Sequence, residues 1–474
     1  MTFTSLSYFL FLPLVYFVYY FAKDSYRWLV LLIASYVFYA TFKAPQLILS
    51  LVLVTAVSYA CGIQLGRTSI EGRRKLIFWL GVTFCALLLA IAKLSQPYTI
   101  FFCKDAQSTY ANLLLTIGIS YFSFQAISYL ADVYLEIQEP EPHLGYHALA
   151  LAFFPKLLQG PIERAGDLLP QLKMSYRFDY STMRSGMLLF TWGLFKKVVV
   201  ANRLALYSDQ VYNHVYDYTG LPLIIATYAY SLQIYFDFAG YTNMARGTAR
   251  MFGIHLAENF NSPYLATSVA DFWRRWHISF SRWILDYIFK PLQMSWRAWG
   301  RAGTALALLV TFFLSGLWHG IGKGYVIWGL LHGVYLATST FYRPYQKKLH
   351  ERLGMQKSMW FKWWQVLVTF NLISFAWIFF RANDVRQAVY MISNMFCGTK
   401  GGVIEYILLK GTANIYIIFL SLIILLLVDK LKAKVEATKS WINNICLRWL
   451  CYYIIVFFIL YFGMSSSEFI YYQF

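Results

Sequence analysis

Charged residues are scarce in this sequence, and acidic residues are scarcer than basic ones. Only 13% of the 474 residues are charged and 59% are hydrophobic, whereas a soluble domain carries roughly 25% charged residues. Apolar blocks such as Leu6–Ala22, Leu47–Ile63 and Ile77–Ile91 recur along the chain. The composition excludes an ordinary soluble protein and predicts an all-α, polytopic membrane protein. Several blocks fall short of the about 20 residues that a straight span needs, so we expect tilted, broken and re-entrant helices.

The shortage of acids leaves a formal net charge of +19. The excess basic residues lie in short clusters between apolar blocks: Arg67–Lys75, Lys196-Lys197, Arg343–Arg352 and Lys430–Lys439. Under the positive-inside rule such clusters mark cytoplasmic loops that face anionic lipid, and they predict an N-terminus outside the cytoplasm. We therefore expect membrane lipid as a partner and no nucleic acid. The start Met1-Thr-Phe-Thr has no cationic region, so a cleaved signal peptide is not expected.

Metal-binding and disulfide motifs are also missing. The six cysteines form no Cys-x-x-Cys pair, and we interpret them as small core residues: Cys61, Cys85, Cys103, Cys397, Cys446 and Cys451. No His-Glu-x-x-His or paired Cys/His cluster is present, so no metal site is predicted.

Linkers, low-complexity tracts and clear internal repeats are absent as well, which predicts one domain over residues 1–474 and argues against an inverted-repeat transporter. The most polar interior stretch runs from Glu136 to Asp179. Because Pro155 and Gly160-Pro161 break helices there, we expect a short helix pair or a re-entrant loop.

Two histidines stand in the most apolar surroundings of the chain. His277 belongs to the segment Asn259–Leu292, which is too charged to span lipid and too aromatic to be solvated freely. This mixture predicts a helix at the membrane interface or one lining a polar cavity. Helical spacing pairs Asp271 with Arg275 and Arg282 with Asp286. The cations still outnumber the acids, which leaves capacity for a phosphate-bearing ligand.

His319 lies among dense glycines, with Gly316 before it and Gly320, Gly322 and Gly324 after it. Such glycines weaken a helix and allow a backbone or ligand to approach closely. His332 follows thirteen residues later, and we interpret it as a packed histidine bonded to a neighbouring helix. His319 and His332 need not share a site.

Seven ordered motifs carry a family resemblance that covers nearly the whole chain. They are Gly118–Tyr129, Phe154–Arg164, Gln233–Tyr241, Glu258–Tyr264, Asp271–Trp283, Gly316–Gly320 and Phe379–Ala382. Together they resemble the membrane-bound O-acyltransferase family, and most of all its bacterial branch of alginate O-acetylation proteins.

The resemblance implies about 10–13 membrane helices, with re-entrant or interfacial helices, around a tunnel that crosses the bilayer. It makes His319 the catalytic histidine and His277 the second family histidine. In many eukaryotic relatives Asn or Asp occupies the position of His277, which puts a catalytic role there in doubt. A neutral imidazole shielded from water can act as the base that deprotonates a hydroxyl, or can take the acyl group itself. The sequence leaves both open.

Further residues are candidates for binding substrate or donor. Arg274 and Arg275 could hold donor phosphates, while His277, a tryptophan N–H such as that of Trp276 or Trp318, or a backbone N–H could stabilise the developing oxyanion. Two other candidates have equally good structural explanations. Asp237 could be a buried acid with a local partner, and Gln159 could belong to a loop held by its own hydrogen bonds.

The function predicted first is an O-acetyltransferase of the bacterial inner membrane. It would move an acetyl group from a cytoplasmic thioester, either acetyl-coenzyme A or an acyl-carrier protein, to an exported polysaccharide such as alginate, together with a periplasmic partner protein. The thioester is a substrate, and no bound cofactor is expected. Peptidoglycan O-acetylation and teichoic-acid D-alanyl transfer are alternatives. A transporter or channel that uses the histidines as relay or gate is the non-enzymatic alternative.

Overall fold

Helices form nearly all of the regular structure of this chain. The computed structural model describes residues 1–42, 45–102, 118–355, 358–401, 416–424 and 445–464. The helices are α1 (Leu6–Phe21), α2 (Arg27–Ala40), α3 (Pro45–Arg67), α4 (Glu71–Phe102), α5 (Ile119–Tyr134), α6 (Leu144–Ala152), α7 (Phe154–Leu157), α8 (Ala165–Lys173), α9 (Tyr180–Phe195), α10 (Asn202–Asn213), α11 (Leu221–Met251), α12 (Val269–Arg275), α13 (Ile278–Ile284), α14 (Lys290–Ser295), α15 (Gly300–His319), α16 (Lys323–Arg352), α17 (Met359–Arg381), α18 (Val385–Asn394), α19 (416–424) and α20 (Ile445–Phe462). The described part of the chain has isolated β-bridges at Thr219–Lys400 and Phe260–Trp276 and no strands.

Four stretches of the described helices are long and apolar enough to cross a membrane. They are Leu47–Arg67, Glu71–Lys93, Arg297–His319 and Met359–Arg381. Large apolar side chains are exposed on these stretches, for example Leu49, Leu80 and Trp364, as expected where a helix faces lipid tails. The all-α membrane class is therefore confirmed, and the number of 10–13 membrane helices stays a prediction.

Close helix packing at small residues organises the centre of the bundle. Helix α9 runs against α11, and a Cβ at Gly193 would come within 2.4 Å of the Gly240 carbonyl oxygen. Small residues let membrane helices approach to backbone contact, where packing rather than hydrophobic burial drives association. Helices α15 and α16 form a second close pair, and this pair carries His319 at its turn.

The polar stretch between Glu136 and Asp179 folds as predicted, into the short helices α6, α7 and α8. Pro155 lies in the first turn of α7, where a missing backbone N–H costs little. The chain then turns through Leu158–Arg164 and packs against the His277 segment.

Two expectations from composition are wrong. Lys196 and Lys197 do not mark a lipid-facing loop, because both are buried in a π-helical turn over Lys196–Ala201. The Lys430–Lys439 cluster lies outside the described residues. Of the cysteines, Cys85 is buried but Cys397, Cys446 and Cys451 are exposed. Cys446 and Cys451 lie on the apolar helix α20, which can turn side chains towards lipid, and Cys397 lies in the turn after α18. Cys103 lies outside the described residues.

Candidate active site

Within the segment Asn259–Leu292, which contains His277, two short helices meet at a sharp break. Helices α12 and α13 meet at His277, whose φ is 42° in the left-handed region that few residues other than glycine, Asn, Asp and His adopt. Asn259 holds the start of α13 on one side: its backbone carbonyl accepts from Ile278 N at 3.0 Å, and its Oδ1 accepts from Ser279 N at 3.1 Å. On the other side, Ser279 Oγ accepts from Ile162 N at 2.9 Å. These bonds fix the break between two loops inside the bundle.

The ring of His277 faces an aromatic environment. It is 2% exposed, and its centroid lies 4.8 Å from that of Phe238 and 5.2 Å from that of Phe280. Neither ring nitrogen makes a hydrogen bond within the described part of the chain. Burial lowers the pKa of His277, which lies outside the four candidate spans. The ring is therefore a neutral imidazole with both a donor and an acceptor available to a ligand.

His319 ends helix α15, directly before the turn into α16. Its ring is packed by Trp318, Phe380 and Trp328 at centroid distances of 4.4, 4.9 and 5.0 Å. The close approach predicted from the glycines is confirmed, because a Cβ at Gly316 would stand 2.5 Å from the carbonyl oxygen of Tyr325. The approaching group is the backbone of the next helix, so Gly316 serves the helix pair that positions the imidazole.

Trp318 brings the two histidines into one site. Its ring centroid lies 4.4 Å from that of His319 and 6.5 Å from that of His277. Phe280 stacks on its face at 4.4 Å. The buried Trp318 Nε1 has no hydrogen-bond partner among the residues that the structure describes. Two imidazoles and an indole N–H thus converge in a buried aromatic environment, and these are the groups needed to remove a proton and to stabilise an oxyanion.

Lys93 also reaches this site, and sequence reasoning missed it. The side chain comes from α4, and its Nζ donates to the backbone carbonyl of Trp318. The same Nζ lies 5.4 Å from the centroid of the Trp318 ring. The signal in the sequence was a single lysine just after the apolar block Ile77–Ile91. A positive charge at such a place is usually interpreted as the flank of a membrane span.

A cavity of about 450 Å³ adjoins the His277 segment. Its walls are mostly apolar, with two guanidinium groups among them: Ala270, Trp273, Arg274, Ile278, Ser281, Arg282, Ile284, Leu285, Phe289, Leu308, Thr311, Phe312 and Leu336. Ile278 lines the cavity and follows His277 directly. This segment thus lines a cavity, as one of the two interpretations expects, but the walls are mostly apolar rather than polar. The phosphate-binding role of Arg274 stays a prediction.

The family model described as MBOAT, the membrane-bound O-acyltransferase family, matches residues 77–381, which include both histidines and Lys93. The chain belongs to this family. The seven motifs predicted that the chain belongs to this family, and the prediction is confirmed.

Named relatives of this membrane-bound O-acyltransferase are bacterial. The probable alginate O-acetylase of Pseudomonas aeruginosa is 35% identical, over 82% of this chain and 73% of its own. The peptidoglycan O-acetyltransferase of Helicobacter pylori is 33% identical, over 83% of this chain and 79% of its own. The teichoic acid D-alanyltransferase of Bacillus subtilis is 29% identical, over 58% and 71%. The chain is therefore a multi-pass membrane acyltransferase.

Of the two predicted ion pairs of the acyltransferase, one is confirmed and the other is wrong. Arg275 Nε donates to Asp271 at 3.0 Å, as the spacing predicts. Asp286, however, pairs with Arg164 at 2.8 Å and Lys290 at 2.7 Å, and not with Arg282. Regular helical spacing ends at Ile284, where a π-helical turn over Leu285–Phe289 begins, so a pairing rule for α-helices does not hold there.

Three other predicted binding residues lie away from the cavity lining. Trp276 is 1% exposed and packs on Trp377 at 5.2 Å. Asp237 forms a 2.5 Å ion pair with Lys197, with both side chains 3% exposed. Gln159 is buried in the turn between α7 and α8. The structure thus gives Asp237 a local partner, one of the two alternatives that its sequence context leaves open.

His332 is a packed histidine, as predicted. Its Nδ1 accepts a hydrogen bond from Trp273 Nε1 at 3.2 Å, and this indole belongs to α12. Trp328 stands between the rings of His332 and His319, at 5.0 Å from each. His332 therefore holds Trp273, which lines the cavity. The ring of Trp328 separates His332 from His319.

Proposed function

We propose that this membrane-bound O-acyltransferase moves acetyl groups from a cytoplasmic thioester to hydroxyl groups of an exported polysaccharide. The observation that carries the proposal is the arrangement of His277 and His319 around Trp318, next to a cavity with Arg274 and Arg282 in its walls. The names of two relatives, a probable alginate O-acetylase and a peptidoglycan O-acetyltransferase, favour acetyl as the group transferred.

The transfer step needs a base and a donor for negative charge. A neutral His319 takes the proton from the acceptor hydroxyl while the oxygen attacks the thioester carbonyl carbon. The electron pair of the carbonyl moves onto its oxygen, which Trp318 Nε1 and a protonated nitrogen of His277 can stabilise. The intermediate collapses, the carbon–sulfur bond breaks, and the thiolate takes the proton from His319. In the alternative course His319 accepts the acetyl group before the hydroxyl does.

The donor fits the cavity by chemistry. An apolar space of about 450 Å³ suits a pantetheine arm, since ligand sites typically measure about 300–1,000 Å³. We assign the donor phosphates to the cavity-lining Arg274 and Arg282. The Arg274 side chain is 66% exposed, and Asp271 lies 3.6 Å from it. Acetyl-coenzyme A and the phosphopantetheine arm of a carrier protein share this chemistry, and either is a substrate rather than a bound cofactor.

We place the enzyme in the bacterial inner membrane, as one domain over residues 1–474, with the acceptor and a periplasmic partner protein on the outer side. Alginate is the first acceptor to test and peptidoglycan the second, because the relatives named for them match this chain at 35% and 33% identity.

The test compares His319→Ala, His277→Ala and wild type, both in cells and as protein purified into lipid nanodiscs with radiolabelled acetyl-coenzyme A. The exposed His255 supplies the matched control His255→Ala. Loss of a general base lowers the rate by about 10²–10⁴, so His319→Ala at normal abundance is expected to stop acetylation while His255→Ala does not. Full activity of His319→Ala would contradict the proposal. A wild-type protein with no transfer from acetyl-coenzyme A and no acetylation in cells would favour the transporter alternative.

A further inference from the structure

The side chain of Lys93 stands at the two histidines, and no acid among the described residues pairs with it. Lys93 ends the span Glu71–Lys93 and is partly buried. Its Nζ donates to the carbonyl oxygen of Trp318, one residue before His319. No carboxylate of the described chain forms an ion pair with it. Ionisable groups at membrane depth are costly and usually pair or mark a functional path.

Helix capping explains part of this geometry. The last carbonyls of α15 have no partner within the helix, and a lysine at a helix C-terminus is favourable. A cap uses one of the three ammonium hydrogens of Lys93, and two remain. The bond to Trp318 fixes these hydrogens beside the indole, whose own Nε1 has no partner among the described residues.

We propose that Lys93 is a catalytic residue whose ammonium group stabilises the negative charge that forms on the thioester carbonyl oxygen. The proposal rests on the proposed acyl transfer. When the acceptor oxygen bonds to the carbonyl carbon and its proton passes to His319, one electron pair moves onto the carbonyl oxygen. This charge lasts until the carbon–sulfur bond breaks and the thiolate leaves. A fixed ammonium meets that transient charge, and Trp318 Nε1 adds a neutral donor on the same side.

The experiment uses the full chain in nanodiscs, with radiolabelled acetyl-coenzyme A as the donor and a polysaccharide acceptor. Lys93→Met removes both cap and charge, Lys93→Gln keeps a donor for the Trp318 carbonyl without the charge, and Lys93→Arg keeps the charge. Lys75→Met is the control, since Lys75 is exposed on the same helix. We expect Lys93→Met and Lys93→Gln to lose about 10²–10³ in kcat, as when an oxyanion donor is removed. The KM for the donor should stay within about threefold, because the charge exists only in the transition state. Lys93→Arg should recover at least about tenfold of that loss.

Three results would overturn this role. Wild-type kcat in Lys93→Gln would show that the cap alone suffices. A raised KM with unchanged kcat would show that Lys93 holds a permanent anion of the substrate. Equal losses in the Gln and Arg variants, together with lower thermal stability, would show a structural role. If the wild-type protein itself transfers no acetyl group, the proposed function fails. That outcome differs from the three above, because each of them is a comparison with a measurable wild-type kcat.

Discussion

Breaking the buried ion pair between Lys197 and Asp237 should destabilise the protein more than any surface change. The two groups approach to 2.5 Å, and both side chains are 3% exposed. Asp237→Leu removes one charge and leaves the other in a medium that cannot solvate it, which costs about 3–5 kcal/mol. Lys197→Met leaves the buried Asp237 carboxylate without the lysine charge and should cost a similar amount.

Replacing both partners gives the opposite expectation. Two apolar side chains of similar volume often match or exceed the stability of a buried pair, so Lys197→Met with Asp237→Leu should lie within about 1–2 kcal/mol of wild type. The unfolding free energy of the four proteins, measured in the same detergent micelles, closes a double-mutant cycle. The reasoning is refuted if either single variant unfolds like wild type.

The same four proteins separate the two interpretations of Asp237. If Asp237 serves only its partner Lys197, the stable double variant keeps its acyl-transfer rate. If Asp237 also contacts substrate, the double variant is stable but slow. Activity of the single variants cannot make this distinction, because instability alone would lower it.

Three further predictions concern the site and its supports. Gly316→Leu should separate α15 from α16 and abolish activity, measured as lost acetyl transfer with a lowered unfolding temperature, because a Cβ there would already stand 2.5 Å from the Tyr325 carbonyl oxygen. His277→Asn should fold at least about 1 kcal/mol more stably than His277→Val, since a β-branched residue is strained at a φ of 42°; equal unfolding midpoints would contradict this. Arg164→Ala should lower stability more than Arg282→Ala, because Arg164 forms a 2.8 Å ion pair and lies 4.2 Å from a tyrosine ring, whereas Arg282→Ala should chiefly raise the KM for the donor.

The fold class and the helix breaks near Pro155 and Gly160-Pro161 could be predicted because they depend on local physics. The shortage of charge predicted the membrane, and Pro155 with Gly160-Pro161 predicted the short helices between α5 and α9. The break at His277 could not be predicted, since nothing in the residues 271–283 prevents a continuous helix. It comes from tertiary bonds to Asn259 and to the Ile162 loop. The Arg282–Asp286 pairing was wrong for a different reason, the π-helical turn that begins at Leu285.

The two histidines of the site could be predicted from their apolar surroundings and from the family motifs, but their arrangement could not. Their meeting point, Trp318, depends on how α15 packs against the His277 segment, and aromatic residues are too common in this chain for one tryptophan to stand out. Trp276 shows the other side of this difficulty. It is adjacent to His277 in sequence, yet it packs into an aromatic core that includes Trp377.

Lysines inside or beside apolar blocks were the residues whose roles the sequence concealed most. Lys93 follows one apolar block and Lys197 lies beside another, so the positive-inside rule places both at a membrane flank. Both instead turn inward, to partners that are distant in sequence: Asp237 for Lys197, and the Trp318 carbonyl, 225 residues away, for Lys93. A carboxylate neutralises the first charge permanently. Among the described residues the second contacts the Trp318 carbonyl oxygen and the Trp318 ring and forms no ion pair with a carboxylate, and this setting is why we propose that it meets the negative charge of the reacting thioester.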